Sequence, residues 1–241
     1  MLYQFAESLM SDTHSLPLYI QISEMLIREI QSGRLSDGAR LPPEREMAAD
    51  LKISVGTLRK ALAVLTEKHL IERRHGSGNY IRQGTGREGL YAFFRLELLG
   101  GGGLPTAQVL SVHSMGKPKD LPRFGASNRA HRIRRLRRLN GIPVAVEEIW
   151  LDAGYTQALT AQDLSESLYY FYRTRLNLWV QRIEDSIGVD SLPAWSKAYL
   201  PDANEVLGRV DRISWDQNNA KAEISRTWFD TVKVSYISRL N

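Results

Sequence analysis

The 241-residue chain contains no cysteine. Disulfides, thiolate nucleophiles and cysteine-ligated zinc are excluded at once. No apolar run approaches the ~18 residues that a membrane-crossing helix needs. The first fifteen residues carry Glu7, Asp12 and Thr13 and lack the basic-then-apolar order of a secretory signal. A cytoplasmic protein with no membrane contact is the expectation. The five histidines, at 14, 69, 75, 113 and 131, have no metal-ligand spacing, so no metal or cofactor is expected. Internal repeats and low-complexity tracts are missing as well. What remains is an ordinary globular composition, 43% hydrophobic and 24% charged, which excludes disordered, collagenous and coiled-coil classes. Thirty-two Lys and Arg against 27 Asp and Glu give +5, too mild a surplus to imply nucleic acid by itself. Where the charge sits has to decide.

The length allows two domains at roughly 100–150 residues each. The first 70 residues read as helices. Tyr19, Ile22, Leu26 and Ile30 recur at helical spacing, and Gly33 closes that helix. Pro42-Pro43-Glu44-Arg45-Glu46 predicts the start of a short second helix, with prolines and acids in a first turn that suits both. Ser54 is a natural N-cap for a third helix carrying Leu58, Leu62, Leu65 and Leu70 on one stripe. From Ile71 to Ile81 the pattern is strand, Gly-rich turn, strand. Arg82 to Glu88 carry Gly84, Thr85 and Gly86 among charges without periodicity, which predicts a linker over 83–89 after a domain at 16–82 and an N-terminal tail at 1–15.

Beyond the linker the period changes to two. Strands are expected at 91–98, 107–115, 131–139, 142–151, 179–189, 210–216 and 222–236, with hairpin turns at Asn140-Gly141 and Gln217-Asn218-Asn219. Asp163 with Glu166 suggests a capping box opening a helix through Thr174, and a second short helix is expected near 202–207. The second domain, 90–241, is therefore α+β with a largely antiparallel sheet.

Three short helices with a tight turn between the second and third describe a helix-turn-helix whose third helix enters the major groove by its N-terminal end. Those residues are Ser54, Val55, Gly56, Thr57, Arg59 and Lys60, small ones first and long cations after. Arg45 on the second helix can cross to the DNA backbone. Local charge agrees. Lys52 to Arg82 hold seven Lys/Arg against two acids, while residues 1–51 hold four against eight. Pro17-Leu18-Tyr19-x-Gln21-Ile22, Leu41-Pro42-Pro43-Glu44-Arg45-Glu46-Met47-Ala48, Ser54-x-x-Thr57-Leu58-Arg59-x-Ala61-Leu62 and His75-Gly76-Ser77-Gly78-Asn79-Tyr80-Ile81 resemble the winged helix-turn-helix of GntR-family bacterial transcription regulators. The resemblance implies that Arg45, Ser54, Thr57 and Arg59 contact DNA and that His75 and Gly76 at the wing tip reach the minor groove. Many relatives carry arginine just after the Ser/Thr, where this chain has Val55.

Six arginines crowd between Arg129 and Leu139. In a strand, Ile133, Arg135, Arg137 and Leu139 share one face, and Arg132, Arg134, Leu136 and Arg138 the other. Arg135 and Arg137 are bracketed by aliphatics on a face expected to look inward. A buried guanidinium there requires an internal carboxylate or an anionic ligand. Strict pairing around Asn140-Gly141 brings Glu148 to the arginine face, whereas a one-residue bulge brings Glu147. Arg135-Leu136-Arg137, the turn through Val144, the Glu147 strand and Ser167-Leu168-Tyr169 resemble the effector-binding UTRA domain of the HutC branch of the GntR family. UTRA domains share a fold with chorismate lyase and bind small metabolites, commonly acids or phosphorylated sugars. The resemblance implies that Arg135 and Arg137 clamp an anion, Glu147 accepts hydroxyl or amine donors, Ser167 caps the ligand, and Glu223 closes the pocket. Phe229-Asp230-Thr231-Val232, in place of an aromatic-basic ending, and the lack of serines at 100–103 count against a phosphosugar.

The expected function is a homodimeric regulator, a repressor, binding a palindromic operator under control of a small, anionic metabolite. Two alternatives stand beside it: a chorismate-lyase-like enzyme tethered to DNA, and a DNA-binding protein whose second domain only dimerises.

Overall fold

Helix propensity, caps and a wing build the first part of the chain. A computed structural model describes residues 16–239 apart from 32, 83–92 and 166. The expected tail, the linker, the start of the 91–98 strand and Glu166 lie outside the described residues. Two compact units result. One runs through Leu104 and takes in the chain from Ser235 onward; the other is Pro105–Val234.

In the first unit α1 (Leu18–Gln31), α2 (Glu44–Asp50) and α3 (Val55–Glu67) surround a core of Ile22, Leu26, Leu58, Leu65 and Ile81. Pro43 precedes α2, and Glu44 and Glu46 occupy its first turn, where carboxylates favour the dipole. Ser54 caps α3, its Oγ accepting the Thr57 N–H at 3.0 Å. His69, at φ 58°, turns the chain out of α3 into β1 (Ile71–Arg74), which pairs antiparallel with β2 (Gly78–Ile81). An isolated bridge from Arg40 to Tyr80 adds a third line to this wing.

The polar side of α1 is buried as well as its apolar stripe. Glu24, Arg28 and Glu29 are buried. Arg28 donates to the carbonyls of Gly103, Phe94 and Leu96 at 3.1, 3.0 and 2.6 Å, so the backbone of 94–103 supplies the acceptors that burial demands. Leu104 joins the same core, β3 (Leu96–Leu98) pairs with β10 (Val234–Tyr236), and Arg239 bridges to Glu97.

The second unit is one six-stranded antiparallel sheet in the order β4-β5-β6-β9-β8-β7, where β4 is Pro105–Gly116, β5 Arg129–Leu139, β6 Ile142–Asp152, β7 Arg182–Ser191, β8 Val206–Trp215 and β9 Lys221–Phe229. The β5–β6 turn takes Asn140 and Gly141 to φ 53° and 77°, as a two-residue hairpin requires. One face packs Leu136, Val146, Leu207 and Trp228 against Leu200, and Ala130, Trp150 and Ile224 against Leu121 and Phe124. Residues of α4 (Leu168–Arg175) bond to the other face.

Three expectations need correction. The segment 222–236 is two strands, because Asp230 breaks it: its Oδ1 accepts the Val232 N–H and its carbonyl the N–H groups of Lys233 and Val234. No helix forms at 202–207; Pro201 and Asp202 make a turn and β8 starts at Val206, while a single 3-10 turn sits at Ala194–Ser196. The later helix opens at Leu168 with Ser167 as its N-cap, and Asp163 closes a capping box with Thr160 around a 3-10 turn instead. No described helix is long and apolar enough to cross a membrane.

Candidate functional sites: a DNA-reading head and a buried arginine cluster

The first unit turns the N-terminal end of α3 outward. Leu58, Ala61, Leu62 and Leu65 hold the helix to the core, which leaves Ser54, Gly56, Arg59 and Lys60 exposed and Val55 and Thr57 half-buried. Ser54 Oγ also meets Thr57 Oγ1 at 2.8 Å, so both hydroxyls are oriented before any ligand arrives. A Cβ on Gly56 would meet only Ser54 Oγ, 3.7 Å away, so the glycine keeps this turn low and open. Such a helix end, with its N–H groups pointing outward, suits a phosphate. Arg45 is exposed on α2. Arg59 is not a bare cation: its Nε donates to Glu44 Oε2 at 2.7 Å. His75 and Gly76 are exposed at the wing turn, where Gly76 takes φ 70°. Behind them Arg74 stacks over the Tyr80 ring at 4.4 Å, and Tyr80 OH meets Ser77 Oγ at 2.7 Å, which stiffens the wing.

In the second unit strand parity sorts the arginines as expected. Every odd position from His131 to Leu139 is buried, and Arg135 and Arg137 are 5% and 3% exposed. The register is the bulged one. Arg138 faces Pro143 but Arg137 faces Ala145, so Val144 is the extra residue, and Arg135 stands opposite Glu147. Arg135 forms an ion pair with Glu147, and Arg137 reaches the same carboxylate oxygen from 3.7 Å. Glu148 falls to the opposite face, where it pairs with Arg134 and accepts the Trp150 Nε1–H.

Glu223 lies on β9, opposite Ser214 of β8 and Leu151 of β6. It is 2% exposed and accepts the Tyr172 hydroxyl at 2.5 Å and the Ser214 hydroxyl at 3.2 Å. Burial pushes its carboxyl above the ordinary glutamate range, against the opposing pull of the Tyr172 hydroxyl and Arg135. Burial, and then the Glu223 charge, push the Tyr172 phenol well up, so it stays a donor. Arg135 acts electrostatically on both groups, which ties Glu223 and Tyr172 to the arginine cluster. Beside them Arg212 is held bidentately by Asp185 at 2.6 and 2.7 Å. Burial alone would lower that guanidinium, but Asp185 overrides it and pushes it up.

Ser167 is buried, and its Oγ accepts the Tyr170 N–H at 3.3 Å as the cap of α4. Tyr172, Ser214 and Arg212 escaped the sequence reading, and Tyr169 entered it only as part of the Ser167-Leu168-Tyr169 motif. Their signal was present: Tyr169 and Tyr172 are three apart on one helix face, and Arg212 and Ser214 alternate on one strand face. Among the described residues no three acidic or histidine side chains come together as a metal site.

Residues 18–81 match bacterial regulatory proteins of the gntR family, and residues 101–235 match the UTRA domain. The chain is 56% identical over 227 residues to the HTH-type transcriptional regulator SmoD of Agrobacterium fabrum, across 94% of this chain and 97% of that protein. The chain belongs to the GntR family. This GntR-family regulator joins a helix-turn-helix DNA-binding domain to a UTRA effector domain and is not an enzyme, which sets the tethered-lyase alternative aside. It is 25% identical over 225 residues to the mannosyl-D-glycerate transport/metabolism system repressor MngR of Escherichia coli, across 89% of this chain and 92% of that one. The solved structure of the possible transcriptional regulator YydK from Bacillus subtilis covers 94% of this chain and 100% of its own, with a TM-score of 0.53 at 20% identity, a likeness of fold.

Proposed function

We propose that the protein is a cytoplasmic, homodimeric repressor whose grip on a palindromic operator is controlled by a small anionic metabolite in the 105–234 unit. One observation carries the effector chemistry: two buried guanidiniums, Arg135 and Arg137, share one carboxylate, Glu147. A ligand anion relieves that sharing by taking one guanidinium bidentately while Glu147 keeps the other. Glu147 and Glu223 then offer acceptors, and Tyr172 a donor, to ligand hydroxyls. An anion that also bears hydroxyls fits this set. The name of the relative MngR supports the reading, since mannosyl-D-glycerate is a carboxylate carrying a sugar. Ser167 enters at the start of α4.

At the other end Ser54, Val55, Gly56, Thr57, Arg59 and Lys60 face the major groove, Arg45 meets the backbone, and His75 and Gly76 enter the minor groove. One head per chain reads one half-site, so two chains read a palindrome. Effector and operator binding are coupled, and the coupling is reciprocal.

The test is fluorescence anisotropy on the DNA upstream of the protein's own gene, at two salt concentrations, against a panel of sugar acids, organic acids, amines and sugar phosphates. Release by a hydroxylated acid, lost in Arg135→Ala, supports the reading. Release by amines alone, or tight binding that no compound alters, rejects an anionic effector. The latter outcome favours a second domain that only dimerises.

A further inference from the structure

Gly56 is the one glycine inside a described helix. It stands second in α3, directly after Val55. Glycine is a poor helix residue, because it loses more backbone freedom on folding than any other. Two internal reasons justify one: a positive φ, or a neighbour that leaves no room for a Cβ. Neither holds here. Gly56 is not among the glycines with positive φ. A Cβ on it would meet only Ser54 Oγ at 3.7 Å, an ordinary contact. Gly208 shows the contrast, since a Cβ there would strike the Phe229 ring. The fold does not require Gly56. What remains is a close approach by something outside the chain.

The surroundings say what approaches. Residues 18–81 form a gntR-type head, and the recognition helix of such a head meets base edges by its N-terminal turn. In α3 that turn has no long donor free for a base. The Ser54 and Thr57 hydroxyls bond each other at 2.8 Å, and Ser54 Oγ also accepts the Thr57 N–H. Val55 is aliphatic and packs in part on the core of the head. Arg59, one turn on, donates to Glu44. The surface at Gly56 is therefore a bare Cα beside valine methyls. In the major groove, the apolar group on a base edge is the 5-methyl of thymine.

We infer that Gly56 reads by shape: its missing side chain seats the 5-methyl of one thymine in each operator half-site. Any side chain at 56 collides with that methyl. A guanine at this point finds no guanidinium to pair with, so the position selects a T·A pair. The inference rests on the operator proposed above and assigns one of its base contacts.

The test matches a bump on the protein with a hole in the DNA. Full-length protein first selects its operator from a random duplex pool. Each thymine of the selected duplex is then replaced singly by uracil, which keeps the pairing and removes only the methyl. At one thymine per half-site, uracil is expected to weaken wild type about threefold, the scale of one methyl taken out of contact. Gly56→Ala is expected to raise the urea midpoint, because it removes a helical glycine, yet to bind the thymine duplex about tenfold or more weakly, the scale of overpacking. On the duplex with uracil at that one position the variant is expected to regain most of its loss, so its preference between the two bases is reversed. A Gly56→Ala protein that binds the selected duplex as wild type does overturns the inference and leaves the operator standing. So does a loss that uracil relieves at no position, which would place sugar or phosphate against Gly56. A pool from which no sequence is selected overturns the operator reading and the inference with it.

Discussion

Arg135 on β5 and Glu147 on β6 stand opposite each other because Val144 is an extra residue in β6. Without it the partner of Arg135 on this face would come from the even positions of β6, and Glu148 would enter the cluster. The bulge therefore decides which of two adjacent glutamates serves the interior. Both are used: Glu147 meets Arg135 and Arg137 inside, and Glu148 meets Arg134 across the sheet. Removing one member of a buried pair leaves an uncompensated charge, at a cost of about 3–5 kcal/mol. Glu147→Leu is expected to lose stability on that scale in urea denaturation. Arg135→Met/Glu147→Leu is expected to recover the share that belongs to Arg135, while Arg137 stays buried beside the lost carboxylate. A double variant whose loss equals the sum of the single losses would mean the two residues are energetically independent.

Glu223 predicts a pH dependence of definite sign. Burial raises its folded-state carboxyl above the ordinary value of 4.5. Below that value both folded and unfolded chains hold the proton, and the contribution to stability is fully present. As pH rises, the unfolded chain releases its proton first, and the contribution is lost by the time pH passes the raised folded value. Glu223→Gln cannot titrate. The difference in urea midpoint between wild type and Glu223→Gln should therefore move in favour of the variant as pH climbs from 4.5 toward neutrality. A difference that stays flat, or reverses, would show that Tyr172, Ser214 and Arg135 outweigh burial.

Most of this architecture was legible because its signals are local. The Ser54 cap, the stripe from Leu58 to Leu65, the Asn140-Gly141 turn and the alternation in β5 each lie within a few residues. Parity alone sent Arg135 and Arg137 inward. The choice between Glu147 and Glu148 was not settled by the sequence: Pro143 is a residue that strands tolerate beside a bulge, but where the extra residue falls depends on the strand opposite. Tyr172 with Glu223 was missed for a related reason: the two are 51 positions apart, and only α4 lying on the β9 side of the sheet brings them together. The burial of Arg28 was not legible either, because the carbonyls that bury it come from residues 94–103.

Arg59 separates folding from DNA binding. It is exposed, and its pairing with Glu44 is the kind of surface contact worth little. Arg59→Ala should change stability by no more than about 0.5 kcal/mol. If Arg59 swings from Glu44 to a phosphate on binding, the same variant weakens operator affinity and lowers the salt slope of binding by about one. Anisotropy titrations at several salt concentrations report both. Unchanged slope with unchanged affinity would leave Arg59 as a structural tie between α2 and α3.

Ser167 and Ser54 do the same local work on two helices, and a pair of variants tells whether either does more. Each serine oxygen accepts an N–H three residues on, Tyr170 at 3.3 Å and Thr57 at 3.0 Å. Loss of such a cap costs about 1 kcal/mol. Ser167→Ala and Ser54→Ala are therefore both expected to lower the urea midpoint modestly. Asparagine caps nearly as well as serine, so Ser167→Asn restores stability while changing the group presented to the interior. If Ser167 also meets the effector, Ser167→Asn keeps the midpoint yet weakens effector-driven release from DNA. Release that follows stability alone across the serine, alanine and asparagine forms would reduce Ser167 to a helix cap.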